Sequence, residues 1–479
     1  MAKHDETDTQ QPQGILLKAR NGDVIGFDET GLRMNLSDSV ITDIGQRLAV
    51  RTDASVLGDV DAWNVRAIGD WYFFDARLPG KQGVRSFRRL KKAVDDGAPD
   101  MFADPTHALF AVLSLCGPRR AQTQNTQLRF PWHVVTAGDD LGVAGNSGTE
   151  EARAVSHLQI LHEQTRDSLI ADALISRRHE AFRALPVIFA RTEADSAGSV
   201  SALLGCQGYK NFAQTVSNLL STAQTLGLPV KVLAVSLDYT LEDAISDGVQ
   251  WRDGIYRLME QITALFADHG LRKPLFTSMF DAGTRDISDH SVIRGQWELS
   301  WNHGQHDFLH VAPSYMFAQD AYGHPTEGAC LEMAEMEAAA IEAANEDAPW
   351  TCPLFLLAEL EGDGTVIRCR AQALGALVLD SDDPLKSGSD CGFSLVGADN
   401  DPKIIDVCIA SDDSQDILIR VDKAPTGQAV HLAYAIGHDA STDEMPANRG
   451  AVRDTWSEQS ITGRRLHRWA LPAMLPVHG

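Results

Sequence analysis

Between residues 131 and 349, short continuous apolar runs alternate with amphipathic patterns, and this alternation restricts the fold more than any other feature. PWHVVTAG, LPVIFAR and PVKVLAVSLDY read as strands, the last buried on both faces. The stretch from Glu150 to about Leu185 has a mostly helical pattern. Tyr209 to Leu226 places Phe212, Val216, Leu219 and Leu220 on one helical face, and Gly254 to Phe266 does the same with Leu258, Ile262, Leu265 and Phe266. KPLFTSMF, a further helix candidate, DFLHVAPSYMF and a final helix complete the series. Strands alternating with helices predict a parallel sheet with right-handed crossovers.

The flanks differ. Residues 1–13 are polar and predict disorder. From Ile15 to Phe130 the pattern is short and irregular, with turn signals at Asn21-Gly22 and Thr30-Gly31 that predict a hairpin. Trp63, Trp71, Tyr72, Phe73 and Phe74 could build a small core or a subunit contact. After Trp350, runs such as TVIRCRAQ, IIDVCIAS and DILIRVD are separated by turn residues and predict an antiparallel sandwich. The expected class is therefore α/β: a three-layer α/β/α parallel sheet, then an antiparallel β-sandwich, with a small mixed N-terminal region. The expected divisions are 1–13, an attachment or oligomerisation region at 14–130, an α/β domain at 131–349 and a sandwich at 350–479.

With 479 residues the chain exceeds one ordinary core. Its 66 acidic against 42 basic residues give a net charge of −24, which argues against nucleic acid and anionic membranes as partners. It suits neutral, hydroxyl-rich ligands. MAKHDETDTQQPQG has no apolar signal segment, so synthesis in the cytoplasm is expected, and no run reaches the roughly 18 apolar residues of a membrane span. The seven cysteines are scattered without C-x-x-C, which predicts free buried thiols and no zinc. No cofactor is expected.

Chemistry concentrates in Met316 to Ala344, where Asp320 and His324 lie between the apolar run Phe308–Val311 and a long helix. Open α/β sheets place their working groups in such loops. The same loop also suits plain helix capping, with Thr326 as N-cap and Glu327 in the first turn. In WELSWNHGQHD, Trp297 and Trp301 share a helix face, which is either buried against the sheet or a stacking platform for a pyranose. His303 and His306 lack a third convergent ligand, so no metal is expected.

Three stretches, YKNFAQTVSNLLSTAQTLGLPVKVLAV, DAYGHPTEGACLEMAEMEAAAIEAA and the closing AYAIGHDASTDEMPANRGAVRDTWSEQSITGRRLHRWALPAMLPV, carry a resemblance in their order and spacing. Over residues 131–479 the chain resembles the sialate O-acetylesterase-like branch of the SGNH hydrolases. The resemblance implies a serine in a G-D-S or G-Q-S turn after the first strand, oxyanion donors, and an acid–histidine block. At the matching turn, Thr136 to Gly142, Asp140 follows Asp139 and takes the serine's place. Ser147 is an alternative nucleophile, and Gly205 or Gly208 an oxyanion donor. The strand end Val235 to Tyr239 lacks the expected amide, and Asp320 precedes His324 by four residues rather than three.

These departures predict an esterase fold that has lost its reaction and kept a sugar cleft. Asp140, Asp320 and His324 then hold the family's catalytic positions. Asp139, Asp238, Tyr239, Tyr322, Trp297 and Trp301 are the expected ligand-binding residues. The expected partner is a polysaccharide or surface glycan, met as a spike or fibre component of a phage-like particle, with homo-oligomer or assembly contacts through residues 14–130. An active O-acetylesterase using Ser147 or Asp140 is the second reading, and a scaffold with no ligand the third.

Overall fold

A computed structural model of the chain describes residues 14–19, 22–28, 31–34, 36–37, 54–58, 60–92, 100–240, 242–243, 245–281, 290–320, 324–382, 384–436 and 449–479. The chain divides into two compact units, residues 1–77 with 84–99, and residues 78–83 with 100–479.

In the first unit, β1 (Gly14–Ala19), β2 (Gly22–Asp28) and β3 (Gly31–Met34) form an antiparallel meander. The predicted turn residues 20–21 and 29–30 lie outside the described residues. β4 (Ala62–Ile68), β5 (Trp71–Arg77) and β6 (Val84–Leu90) pair antiparallel. Phe74 and Phe87 sit opposite one another with ring centroids 6.0 Å apart, and with Val65, Ala76 and Leu57 they form the buried face. On the other face Arg88 lies 5.4 Å from the Trp71 ring and 5.0 Å from that of Phe73. Among the described residues this unit is extended apart from a 3-10 turn at Ala54–Leu57, rather than mixed.

The second unit is mixed α/β and rich in sheet. After a short β7 (Met101–Ala103) come β8 (Leu109–Cys116), β9 (Val134–Ala137), β10 (Leu158–Ile160), β11 (Val187–Ala194), β12 (Val230–Ser236), β13 (Leu275–Phe280) and β14 (Asp307–Pro313). The order across the sheet is β10-β9-β11-β8-β12-β13-β14, parallel except for β10. Taken alone, β8, β11, β12, β13 and β14 run 2-1-3-4-5 in chain order. The expected boundary at 130 thus falls inside this unit. The first and central strand is β8, whose run LFAVLSLC is apolar enough to be covered on both faces. β9, with four residues, lies next to the edge.

Six helices are described in this unit: α1 (Arg166–Glu180), α2 (Val200–Leu203), α3 (Gln207–Leu226), α4 (Gly248–Asp268), α5 (His290–Trp301) and α6 (Glu327–Asn345). Alternate residues of β8 and β11 serve opposite faces. Val112, Ile188 and Ala190 pack with Ile170 and Leu174 of α1 and Ala338 and Ile341 of α6. Glu193 reaches Thr215 of α3 instead. KPLFTSMF is a strand, and the helix expected from Glu150 to Leu185 is confined to α1. Asn211 and Asn218 of α3 hydrogen-bond the backbone of residues 150–155 and hold that stretch open. The capping expectation at Thr326 holds, its hydroxyl accepting from Ala329 N at 3.3 Å.

The C-terminal sheets comprise β15 (Leu354–Glu361), β16 (Val366–Gln372), β17 (Leu377–Leu379), β18 (Phe393–Val396), β19 (Ile404–Ile409), β20 (Asp416–Val421), β21 (His431–Tyr434), β22 (Val452–Gln459), β23 (Arg465–Trp469) and β24 (Ala473–His478). One sheet runs β18-β21-β24-β15-β16-β20-β19 and the other β17-β22-β23. Their pairs are antiparallel except for β15 with β24. Phe355, Phe393 and Tyr434 stack in one core with Tyr315, Met336 and Trp350, so the sandwich shares its interior with the α/β part. Tyr315 Oη donates to Ala470 O at 2.7 Å across that junction.

Phe355 is fully buried in this shared core. Phe355→Ala is expected to cost about 3–5 kcal/mol. Urea unfolding followed by helical circular dichroism and by tryptophan fluorescence should give one coincident transition for the second unit, shifted together by the substitution. Two separated transitions would contradict the shared core.

Candidate functional site

At the C-terminal ends of four neighbouring strands the face toward α1 and α6 turns polar. Thr192, Ser114, Ser236 and Thr277 lie in one cross-strand row, from β11 through β8 and β12 to β13. Asp167, in the first turn of α1, accepts from Ser114 at 2.5 Å and from Thr192. Glu337, in the middle of α6, accepts from Thr277 at 2.7 Å and from Ser236. All six side chains are buried.

Arg120, just past β8, joins the two carboxylates. Its Nε and Nη2 donate to Asp167 Oδ1 at 3.2 and 2.6 Å, Nη2 also to Glu337 Oε1 at 3.0 Å, and Nη1 to Glu337 Oε2 at 3.1 Å and Asp238 Oδ2 at 2.9 Å. Every N–H of the guanidinium is thereby used. Burial favours the neutral form of Arg120, but Asp167 and Glu337 outweigh it and hold the group charged. Burial likewise pushes Glu337 up, and the charges of Arg120 and Arg166 overcome it and hold the carboxyl below its usual range. Asp238, at the end of β12, also pairs with Arg166 and accepts from Met279 N at 2.9 Å and Ser278 Oγ at 3.1 Å.

In front of this cluster lies a cavity of about 50 Å³. Arg119, Arg120, Arg166, Asp238, Glu242 and Asp281 give its polar lining, Phe317, Pro325 and Met333 its apolar wall, and Ser314 and Gln319 complete it. It lies just past the C-terminal ends of the neighbouring strands β8 and β12, the switch point of the 2-1-3-4-5 order, where doubly wound sheets bind ligands. A Cβ on Gly117 would stand 2.3 Å from the Glu242 carboxyl carbon, so a side chain there would push the Glu242 arm from its place in the lining. Burial raises both Glu242 and Asp281; Asp281 is pushed up to about 6, Glu242 adding to the rise, while Arg119, Arg166 and the Ser314 hydroxyl oppose it.

The expected residues scatter around this centre. Asp238 lines the cavity. Gln319 and Pro325, which also line it, are bridged across the loop that carries Asp320 and His324. Those two close a local turn, Asp320 N to His324 O at 2.7 Å and His324 N to Asp320 Oδ1 at 2.9 Å, with Nδ1 3.6 Å from Oδ2 and about 40% of each side chain exposed. Asp140 follows near-edge β9, two strands from β8, and is exposed with a left-handed φ of 63°. It does not occupy the turn after the first strand: that turn is Gly117 to Arg120.

Asp139 lies on the α3 face, bound by both Nη atoms of fully buried Arg191 at 3.0 and 2.8 Å, and is a structural anchor instead of a ligand contact. Tyr239 is fully enclosed, its carbonyl accepting from Trp251. Half-buried Trp297 donates its indole N–H to Phe355 O at 2.7 Å beside the shared core, Trp301 is exposed, and the two rings meet edge-on with centroids 5.5 Å apart instead of forming one flat platform. Ser147 is exposed with a φ of 48°, and the Gly208 N–H is taken by Asp195. Gly205 N donates to Ala202 O in a helical turn, and His303 Nδ1 bonds His306 O. Tyr322 lies outside the described residues.

Arg119, Arg120, Arg166, Asp167 and Glu337 were not expected. Glu337 had a signal, since it interrupts the stripe of Met333 and Ile341 on α6, where only a paired acid is tolerated.

No family model and no curated protein sequence matches the chain. Among solved structures, the N-terminal part of the bacterial S-layer protein SbsC is similar over 65% of this chain and 54% of its own, at 8% identity and a TM-score of 0.17. The chain thus spans about half of that structure, and a likeness of this size carries no argument. No helix among the described residues is long and apolar enough to cross a membrane.

Arg120→Met leaves Asp167 without its ion-pair partner and Glu337 with Arg166 alone at 3.8 Å, and is expected to lose about 3–5 kcal/mol in urea unfolding. A loss below about 1 kcal/mol would show the cluster to be dispensable. Asp281 gives a test of opposite sign. Its folded pKa, about 6, exceeds its ordinary 3.8, so its ionised form costs stability at neutral pH, and the cost fades as pH falls through 6 toward 3.8. Asp281→Asn should therefore be more stable than the parent at pH 8, with the gap closing by about pH 4. A gap independent of pH would contradict this.

Proposed function

We propose that the chain is a non-catalytic carbohydrate-binding protein built on an SGNH-esterase-like frame. The supporting observation is the turn after the first parallel strand, where the resemblance calls for a serine. Gly117-Pro118-Arg119-Arg120 stands there, and the Arg120 guanidinium is committed to three carboxylates. A guanidinium is no nucleophile, and here it cannot donate to a developing oxyanion without breaking buried pairs. The serine–histidine pair Ser300–His310, 2.8 Å apart, lies away from the cavity lining, and burial lowers His310 to about 3, too weak a base for acyl transfer.

What persists is a polar cavity at a ligand-binding position of the fold, with acceptors and donors suited to hydroxyl groups. In this reading Asp238 and its neighbours contact the sugar. The particle setting, a receptor-binding component that meets a capsule or surface glycan, follows from the sequence reading, with residues 14–130 as the assembly region.

On a glycan array the full chain is expected to retain at least one class of neutral polysaccharide, and to turn over p-nitrophenyl acetate no faster than buffer. Ser314 is the hydroxyl that lines the cavity. Turnover abolished by Ser314→Ala or His324→Ala would establish the esterase reading in place of this one.

A further inference from the structure

The cavity is small, charged and unevenly satisfied, and these properties together select a ligand group. We infer that it receives the neutral hydroxymethyl arm of a sugar and rejects the corresponding carboxylate, so that the protein discriminates neutral from acidic glycans. This rests on the carbohydrate-binding reading above and narrows it.

Size comes first. A cavity of about 50 Å³ holds on the order of two waters. A hydroxymethyl group is of that size, whereas a whole pyranose ring is several times larger. The ring would stay at the mouth and one exocyclic arm would enter.

Charge comes second. Asp238, Glu242 and Asp281 line the space with Arg119, Arg120 and Arg166, and Asp167 and Glu337 stand directly behind Arg120. Five carboxylates thus surround three guanidiniums, and an entering carboxylate meets net repulsion in a site partly stripped of water.

Hydrogen-bond capacity comes third. Among the lining residues, Gln319 Oε1 is buried without a hydrogen-bond donor, and Arg166 Nε is buried without a hydrogen-bond acceptor, Glu337 Oε2 standing 3.8 Å away as an ion-pair contact. The rest of the Arg166 fork is unevenly used: Nη2 pairs with Asp238, but Nη1 reaches only Met333 Sδ at 3.5 Å. A hydroxyl both donates and accepts, so it matches such a wall. A carboxylate cannot donate to Gln319, Glu242 or Asp281, and an ammonium cannot accept from Arg166. Phe317, Pro325 and Met333 offer the methylene its apolar side.

The test uses the full chain and matched methyl glycosides in the gluco, galacto and manno series, each as the parent sugar, its 6-deoxy analogue and its uronate, titrated by saturation-transfer NMR. In at least one series the hydroxymethyl sugar should bind, the 6-deoxy analogue about tenfold more weakly, and the uronate more weakly still. Gln319→Met, near in shape, should erase the preference for hydroxymethyl over methyl while the melting temperature holds. Asp281→Asn should move the uronate severalfold toward parity.

Uronates binding as tightly as their parents, or 6-deoxy sugars binding equally well, would overturn the inference and leave the carbohydrate-binding reading intact. A preference that neither substitution alters would overturn the assignment to this cavity. Failure of every sugar, neutral or acidic, to bind would overturn the carbohydrate-binding reading itself.

Discussion

The second unit depends on one guanidinium. Arg120 ties the first turn of α1 to the middle of α6 through Asp167 and Glu337, and those carboxylates in turn hold hydroxyls from four adjacent strands. Such a buried cluster is a poor source of net stability, because desolvating the ions costs nearly what their pairing returns. Its effect is geometric. Satisfying all five N–H groups at once permits one arrangement of two helices against the strand ends, and that arrangement holds the cavity open in front of it.

The same guanidinium accounts for the chemistry. A hydrolase needs a nucleophile and oxyanion donors at the end of the central strand, with free hydrogen-bonding capacity aimed at the substrate. Here that capacity is spent inward, on Asp167, Asp238 and Glu337. The outward layer is Arg119, Arg166, Glu242 and Asp281, with Ser314 and Gln319 beside them, a set of hydrogen-bond donors and acceptors. Under the proposed function, hydroxyl recognition would use pairs of this kind and need no strained nucleophile.

Much of the fold was legible in the sequence. β11, β12, α3, α4 and the sandwich strands announce themselves by apolar periodicity, and the Thr326 cap by its position ahead of Glu327. The central strand, LFAVLSLC, is as apolar as β12 but stands at the end of a long irregular stretch, which hides it in the sequence. The turn that the resemblance matches at Asp140 follows β9, two strands away from β8 in the sheet. The candidate site was less legible for a physical reason. Arg120, Asp167, Asp238 and Glu337 are separated by up to 217 residues and acquire meaning only as partners. Asp139 shows the converse: a carboxylate beside a glycine at a strand end looks functional, yet it serves Arg191 on the opposite face.

The most direct measurement of the central claim is a crystal structure of the chain soaked with a neutral oligosaccharide. The account predicts sugar density at the mouth of the cavity, with one hydroxyl within hydrogen-bond distance of Asp238, Arg166 or Gln319 and the Arg120 cluster unmoved. Sugar bound elsewhere over an empty cavity, or an acyl group attached to Ser314, would contradict it.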